Sequence, residues 1–436
     1  MALSKTRAHF LNTSYIFSSK VLISLINLVS QIILARFLLP EGRGEYTVCI
    51  IFSIMLGTVF FLSSDVGIRN KLALQKISIN QAFSYLVGFT FVFSLIAIIS
   101  GILLIKTDIS FFEKASTNNF LISLAIIPFQ QISDQQIILL STNQNFKESA
   151  TFLVISELLK VILIAVFIKN LNLGVSGALL AQICANIIII FIIFYNTKFF
   201  YSNIKFQSKL VKDILSHGIR FYIGKISNLS NIQIGTIIMA FFLEPRELGI
   251  YAVGSAFILK IRMIPDSINT VLIPRIAYGK SDKEVNDIIL RNSKLLFYIC
   301  GILLLVLAVL ANLIISLLFG NEYIQAAYVI QILCIGLLFH CTLKPIEAYF
   351  AVISIYPQIA SKAVLYGIIV NIISLVYFLP KFGIYGAAIS ISLNYIISSF
   401  YLLFEFKEKR QIQIRDLLKL DKKNITSVIK NYLKEI

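Results

Sequence analysis

The feature that most constrains this chain is a set of long stretches without a single Asp, Glu, Lys or Arg. The longest, residues 77–105, runs for 29 residues; 170–197, 295–321 and 382–404 run for 28, 27 and 23. Residues 46–64, 115–133, 226–243, 323–343 and 363–380 are also uncharged, and about 14–38, 150–169 and 248–265 are apolar with a charge inside. A helix of about 20 residues crosses about 30 Å of hydrocarbon, and it satisfies its own backbone groups as it does so. A membrane β-barrel would need alternating segments of about 10 residues, whereas Ile187 to Tyr195 is continuously apolar. The pattern predicts an all-α integral membrane protein with about twelve spans. Charged residues make up 14% of the 436 and mean hydropathy is +0.85, whereas a soluble domain carries about 25% charged residues. The same apolar content excludes a disordered chain.

The net charge of +17 is read after the spans are placed. With the N-terminus in the cytoplasm, the inner connections hold 25 Lys and Arg and the outer ones six. That asymmetry is the positive-inside pattern, so no nucleic-acid partner is needed to explain the charge. Both termini fall in the cytoplasm, and the segment after Lys5 and Arg7 reads as an uncleaved first span. The five cysteines lie singly in apolar stretches and the three histidines are scattered, so neither a disulfide framework nor a metal site is expected. The outer loops are short. There is no HExxH, no Walker A run and no pair of loop aspartates, and the chain is read as a non-enzyme. Residues 407–436 read as a basic amphipathic helix on the inner leaflet.

Two internal matches organise the spans. Residues 34–46, LARFLLPEGRGEY, align with 239–251, MAFFLEPRELGIY, through Pro40/Pro245, Gly44/Gly249 and Tyr46/Tyr251 at offset 205. Leu173–Ala178, LGVSGA, aligns with Phe382–Ala387, FGIYGA, at offset 209. Two markers at nearly one offset imply two six-span halves that enter the membrane in the same direction, the parallel-repeat plan of many transporters. The expected division is an N-terminal lobe 1–197, a basic linker 198–213, a C-terminal lobe 214–406 and the tail 407–436.

The run ILARFL-x-PEGRGEY, followed by Asp65-Val66-Gly67-Ile68 after the second span, resembles polysaccharide biosynthesis exporters. Their superfamily is that of multidrug, oligosaccharidyl-lipid and polysaccharide exporters, and the likeness is to O-antigen repeat-unit flippases of the Wzx type. The resemblance implies a V-shaped bundle of two lobes around a central cavity, in a bacterial inner membrane. It implies transport of an undecaprenyl-pyrophosphate-linked oligosaccharide from the inner to the outer leaflet by alternating access. A polysaccharide polymerase and chain-length machinery are the partners it suggests besides the bilayer. The alternative is a drug/cation antiporter of the same fold.

Charges inside spans mark candidate function, because hydrocarbon penalises them. The candidates for the substrate cavity are Lys20, Asn27, Gln31, Lys160, Arg220, Lys225, Asn228, Asn231, Lys260 and Lys344. Ammonium and guanidinium groups suit pyrophosphate oxygens, and amides suit sugar hydroxyls. Lys160 has Glu157 and Lys344 has Glu347 at i, i+3 spacing, so intrahelical pairing and cavity lining are both open. Lys225 and Lys260 have no acid within a turn and are expected to be the free cations. Asp134, Glu157 and Glu347 are the candidates for proton or sodium coupling, and no other cofactor is expected.

Overall fold

The computed structural model describes residues 2–197, 207–277 and 281–410. The chain divides into two compact units, Met1–Ala252 and Val253–Ile436. The described residues of both are helical, without a strand. In the first unit come α1 (Ala2–Phe60), α2 (Ser64–Ala73), α3 (Ile79–Ile105), α4 (Thr117–Thr142), α5 (Phe146–Ala165), α6 (Gly174–Thr197) and α7 (Ser208–Phe242). Helix α8 (Pro245–Ile261) begins there and ends in the second unit. The second unit goes on with α9 (Met263–Ala277), α10 (Asp282–Leu318), α11 (Gln325–Ala348) and α12 (Gln358–Arg410).

Two helices are each two spans. Helix α1 breaks at Leu39 (φ 59°, ψ 173°) just before Pro40, which has no N–H to carry the helical ladder onward. Helix α12 breaks at Gly383 (φ 53°, ψ −133°), three residues past Pro380. Eight stretches are long and apolar enough to cross a bilayer, α1 and α12 among them. Counting the two arms of α1 and α12 separately, and adding α4 and α7, the described residues supply the twelve expected spans. Span eight differs from its expectation of one run over 248–265, because the helix is interrupted at Arg262 and resumes as α9. Helix α10 starts at Asp282, well before the expected span, with Ser281 Oγ accepting from the Glu284 N–H as its cap. The tail helix expected over 407–436 lies mostly outside the described residues, as does most of the linker 198–213.

The second repeat marker has a structural meaning. Gly174 (φ 55°) and Gly383 (φ 53°) both take the left-handed conformation that costs other residues about 1–2 kcal/mol. Each glycine opens the last span of its repeat, so the sequence match at offset 209 is a match of backbone turns.

Apolar packing explains both faces of these helices. On α10, Cys300, Leu304, Leu307, Ala311 and Ile315 are buried, while Ile302, Leu305, Val309, Leu313 and Leu317 are exposed. The exposed stripe rises about 22 Å at 1.5 Å per residue; in water it would be a large aggregating patch, and in a bilayer it meets lipid chains. In the first unit α1 packs on α5, α4 on α6 and α2 on α7. One core gathers Tyr85, Phe89, Ile137, Phe152, Ile189 and Ile214. In the second unit α11 packs between α10 and α12, around Ile289, Ile346, Phe350, Ala363 and Phe406.

Candidate functional site

Within this apolar framework the polar side chains gather in three clusters, two in the first unit and one in the second. The first is built on Asp65, one residue into α2. Its side chain is only 4% exposed. It accepts from Lys225 Nζ of α7 at 2.9 Å, from Arg69 Nη2 at 3.1 Å and from Gln135 Nε2 of α4 at 3.4 Å. Lys225 and Arg69 keep 32% and 34% of their side chains exposed. Two cations therefore share one buried carboxylate, and the cluster carries an excess positive charge. Nearby, Lys71 of α2 pairs with Asp213 of α7 at 3.2 Å, and the Tyr222 hydroxyl donates to the Val59 carbonyl. Polar contacts thus join α7 to α2 at two positions and to the end of α1.

The expectation that Lys225 is free is corrected by this geometry. Its counter-ion is 160 residues away in sequence, out of reach of any argument from helical spacing. Lys260, half-buried on α8, is not free either.

The second cluster links three helices, α1, α4 and α6, with an ion pair on α5 beside them in the same unit. On α4, Gln130 Nε2 donates to Asp134 Oδ2 at 2.7 Å, while Gln130 Oε1 accepts from Gln182 and Asn186 of α6. Gln182 Oε1 accepts from the Tyr46 hydroxyl of α1 at 3.0 Å. Tyr46 lies under the Arg43 guanidinium, 5.3 Å from the ring centroid, and Arg43 in turn donates to Gln31. On α5, Lys160 donates to Glu157 at 3.1 Å with both side chains mostly buried, so of the two readings for that pair the ion pair is the one observed. Asn27 is half-buried on the same arm of α1 as Gln31. Amide chains of this kind relay donor and acceptor roles through a low-dielectric interior.

The third cluster lies in the second unit. Lys344 of α11 donates to both oxygens of Glu347 at 2.9 and 3.1 Å and lies 3.8 Å from Asp266 of α9. Asn269 Nδ2 donates to the Lys344 carbonyl at 3.2 Å. Arg262, at the break between α8 and α9, donates to the Tyr395 hydroxyl of α12 at 3.3 Å. The Tyr395 ring stacks on His340 of α11, with centroids 4.9 Å apart. The helix break turns Arg262 toward this aromatic pair, its guanidinium 5.7 Å from the Tyr395 ring centroid. Asp266 keeps more than half of its side chain exposed.

Two candidates, Lys20 and Arg220, do not join these clusters. They are exposed on α1 and α7, and the side chains of Asn228 and Asn231 lie outside the described residues. Several cluster members were missed in the sequence: Arg69, Gln182, Asn186, Tyr46, His340 and Tyr395. Asp65 served there only as part of a motif. Tyr46 stood there only as a repeat match and His340 only as one of three scattered histidines.

The chain matches the family described as polysaccharide biosynthesis protein over residues 33–328. It belongs to that family. A putative O-antigen transporter of Shigella flexneri is 24% identical over 399 residues, covering 87% of this chain and 93% of the relative. The capsular polysaccharide biosynthesis protein CapF of Staphylococcus aureus is 23% identical over 408 residues, covering 90% and 98%. Among solved structures, the lipid II flippase MurJ in an inward closed conformation superposes with a TM-score of 0.73 at 20% identity, covering 98% of this chain and 93% of that one. An inward-facing multidrug resistance MATE family transporter of the MOP superfamily gives 0.68 at 15% identity, covering 89% and 94%. This chain shares the all-α fold of both structures.

Proposed function

We propose that this chain flips an undecaprenyl-pyrophosphate-linked oligosaccharide, an O-antigen or similar surface-polymer repeat unit, from the cytoplasmic to the outer leaflet of a bacterial inner membrane. The family and its curated relatives support a role in surface-polysaccharide export. The observation that carries the cargo reading is the Asp65 cluster: two cations for one buried carboxylate within the helix bundle. A lone pair would be neutral and structural. The surplus cation leaves donors for an anionic head group, and charge-assisted hydrogen bonds to phosphate oxygens are among the stronger ones. Sugars would meet the amides of the second cluster and the isoprenoid chain would stay in lipid.

Alternating access between the six-span repeats 1–197 and 214–406 supplies the movement without covalent chemistry. The 25-to-six basic asymmetry supports cytoplasmic termini. Asp134, Glu157 and Glu347 remain the proposed coupling carboxylates for a proton or sodium ion. A polymerase and chain-length machinery would take up the delivered unit on the outer side. A cationic surplus disfavours the drug/cation antiporter, since like charges repel.

The test is depletion of the protein in its native host. Lipid-linked repeat units should accumulate on the cytoplasmic leaflet while surface polymer is lost. Intact surface polymer together with new drug sensitivity would favour the antiporter instead.

A further inference from the structure

The two copies of the first sequence repeat meet each other in space. In the first copy Pro40 opens the second arm of α1, and in the second copy Pro245 opens α8 after the extended Leu243. Four residues on stand Gly44 and Gly249, both buried. A methyl group built on Gly44 would overlap the Pro245 carbonyl and lie 2.9 Å from the Pro245 Cα. A methyl group built on Gly249 would overlap the Pro40 carbonyl and lie 2.9 Å from the Gly44 amide nitrogen. Each glycine thus sits against the proline of the other copy. The contact is reciprocal, as at a two-fold axis, although it is made within one chain and within its first compact unit.

From this geometry we propose that Gly44 and Gly249 form a reversible clasp that holds the transporter closed to the outside, and that the clasp must part for cargo to leave. The inference rests on the transport reading above. Three observations carry it. The nearest atoms facing each glycine are backbone atoms of the other copy, so the closest approach can separate without withdrawing a side chain. Glycine Cα–H groups against carbonyl oxygens attract weakly, which suits a contact broken once per cycle. Both copies follow an odd-numbered span, so on the positive-inside reading both lie at the outer face, opposite the basic connections.

The neighbourhood offers a handle. The short 3-10 helix Ser110–Lys114 reaches the end of α7: Phe111 and Phe241 have ring centroids 5.5 Å apart, and Lys114 pairs with Glu244 at 3.1 Å. Glu244 is mostly exposed and Lys114 mostly buried, so the unlinked double variant serves as the control for loss of the pair itself. Just past Lys114, the Ser116 N–H and Asn119 Nδ2 both donate to Glu45 Oε1 of the first copy at 2.8 Å, so a link between positions 114 and 244 would hold the two copies in the observed arrangement.

The experiment has two arms, both in a background with the five cysteines replaced. In the first, Lys114→Cys/Glu244→Cys is linked in membranes by a short bis-maleimide. Surface-polymer export should stop in proportion to the linked fraction and persist in the unlinked double variant; undiminished export by fully linked protein overturns the clasp. In the second, Asn27→Cys is labelled from outside with a membrane-impermeant maleimide. Adding Gly44→Ala or Gly249→Ala should raise labelling by about fivefold or more, the size of a substantial population shift. Unchanged labelling at normal abundance overturns the clasp, because a merely structural glycine would leave access unaltered. If an alanine variant does not accumulate, the linking arm decides. The labelling arm needs no cargo, so it still reads the clasp if depletion shows the export reading itself to be wrong.

Discussion

Asp65 is the residue on which the charge balance of the first unit turns. Removing Lys225 leaves it paired with Arg69, so Lys225→Ala should fold and reach the membrane. Its export should fall about tenfold or more, the equivalent of one interaction of about 1.4 kcal/mol lost on the transport path. Lys225→Arg, which keeps the charge, should retain most activity. Asp65→Asn acts in the opposite sense: it leaves two cations side by side with no carboxylate. The expected result is a larger stability loss, about 1–3 kcal/mol, seen as a lower melting temperature in detergent than for Lys225→Ala. Equal melting temperatures for the two variants would argue against Asp65 as the hub. In the third cluster the Lys344–Glu347 pair is made on a single helix. Lys344→Ala strands Glu347 and Asp266 without their shared cation, and the double variant Lys344→Ala/Glu347→Ala should recover part of the lost stability.

At the level of elements, the breaks matter more than the runs. The left-handed Gly174 and Gly383 are each expected to cost about 1–2 kcal/mol on replacement by alanine. Gly301→Ala is the contrast: a methyl there meets only Leu338 at 3.7 Å, and inside helix α10 alanine should hold or raise the melting temperature, by the equivalent of about 1 kcal/mol at most. The spans were legible because uncharged runs report burial in lipid directly, and the Gly-led turns because a glycine at φ > 0 leaves the same mark in both repeats. The i, i+3 pairs Glu157–Lys160 and Lys344–Glu347 were legible for the same local reason. The Asp65–Lys225 pair was not, since its register depends on how α2 lies along α7. Nor was the interruption at Arg262 read from the sequence, although Pro265, three residues on, has no N–H to carry the helical ladder across it.

For the whole molecule, the account joins a family-level export role to a physical means of holding an anionic lipid head inside a helical bundle. The parallel repeat and the basic asymmetry are what the proposed direction of transport rests on. The most direct test uses purified protein in liposomes that carry a fluorescent undecaprenyl-pyrophosphate-linked oligosaccharide, with leaflet exchange followed by access of an external quencher. The account predicts exchange well above that of protein-free liposomes and its loss in Lys225→Ala. Exchange no faster than in protein-free liposomes under imposed proton and sodium gradients, or equal exchange by Lys225→Ala, would contradict it.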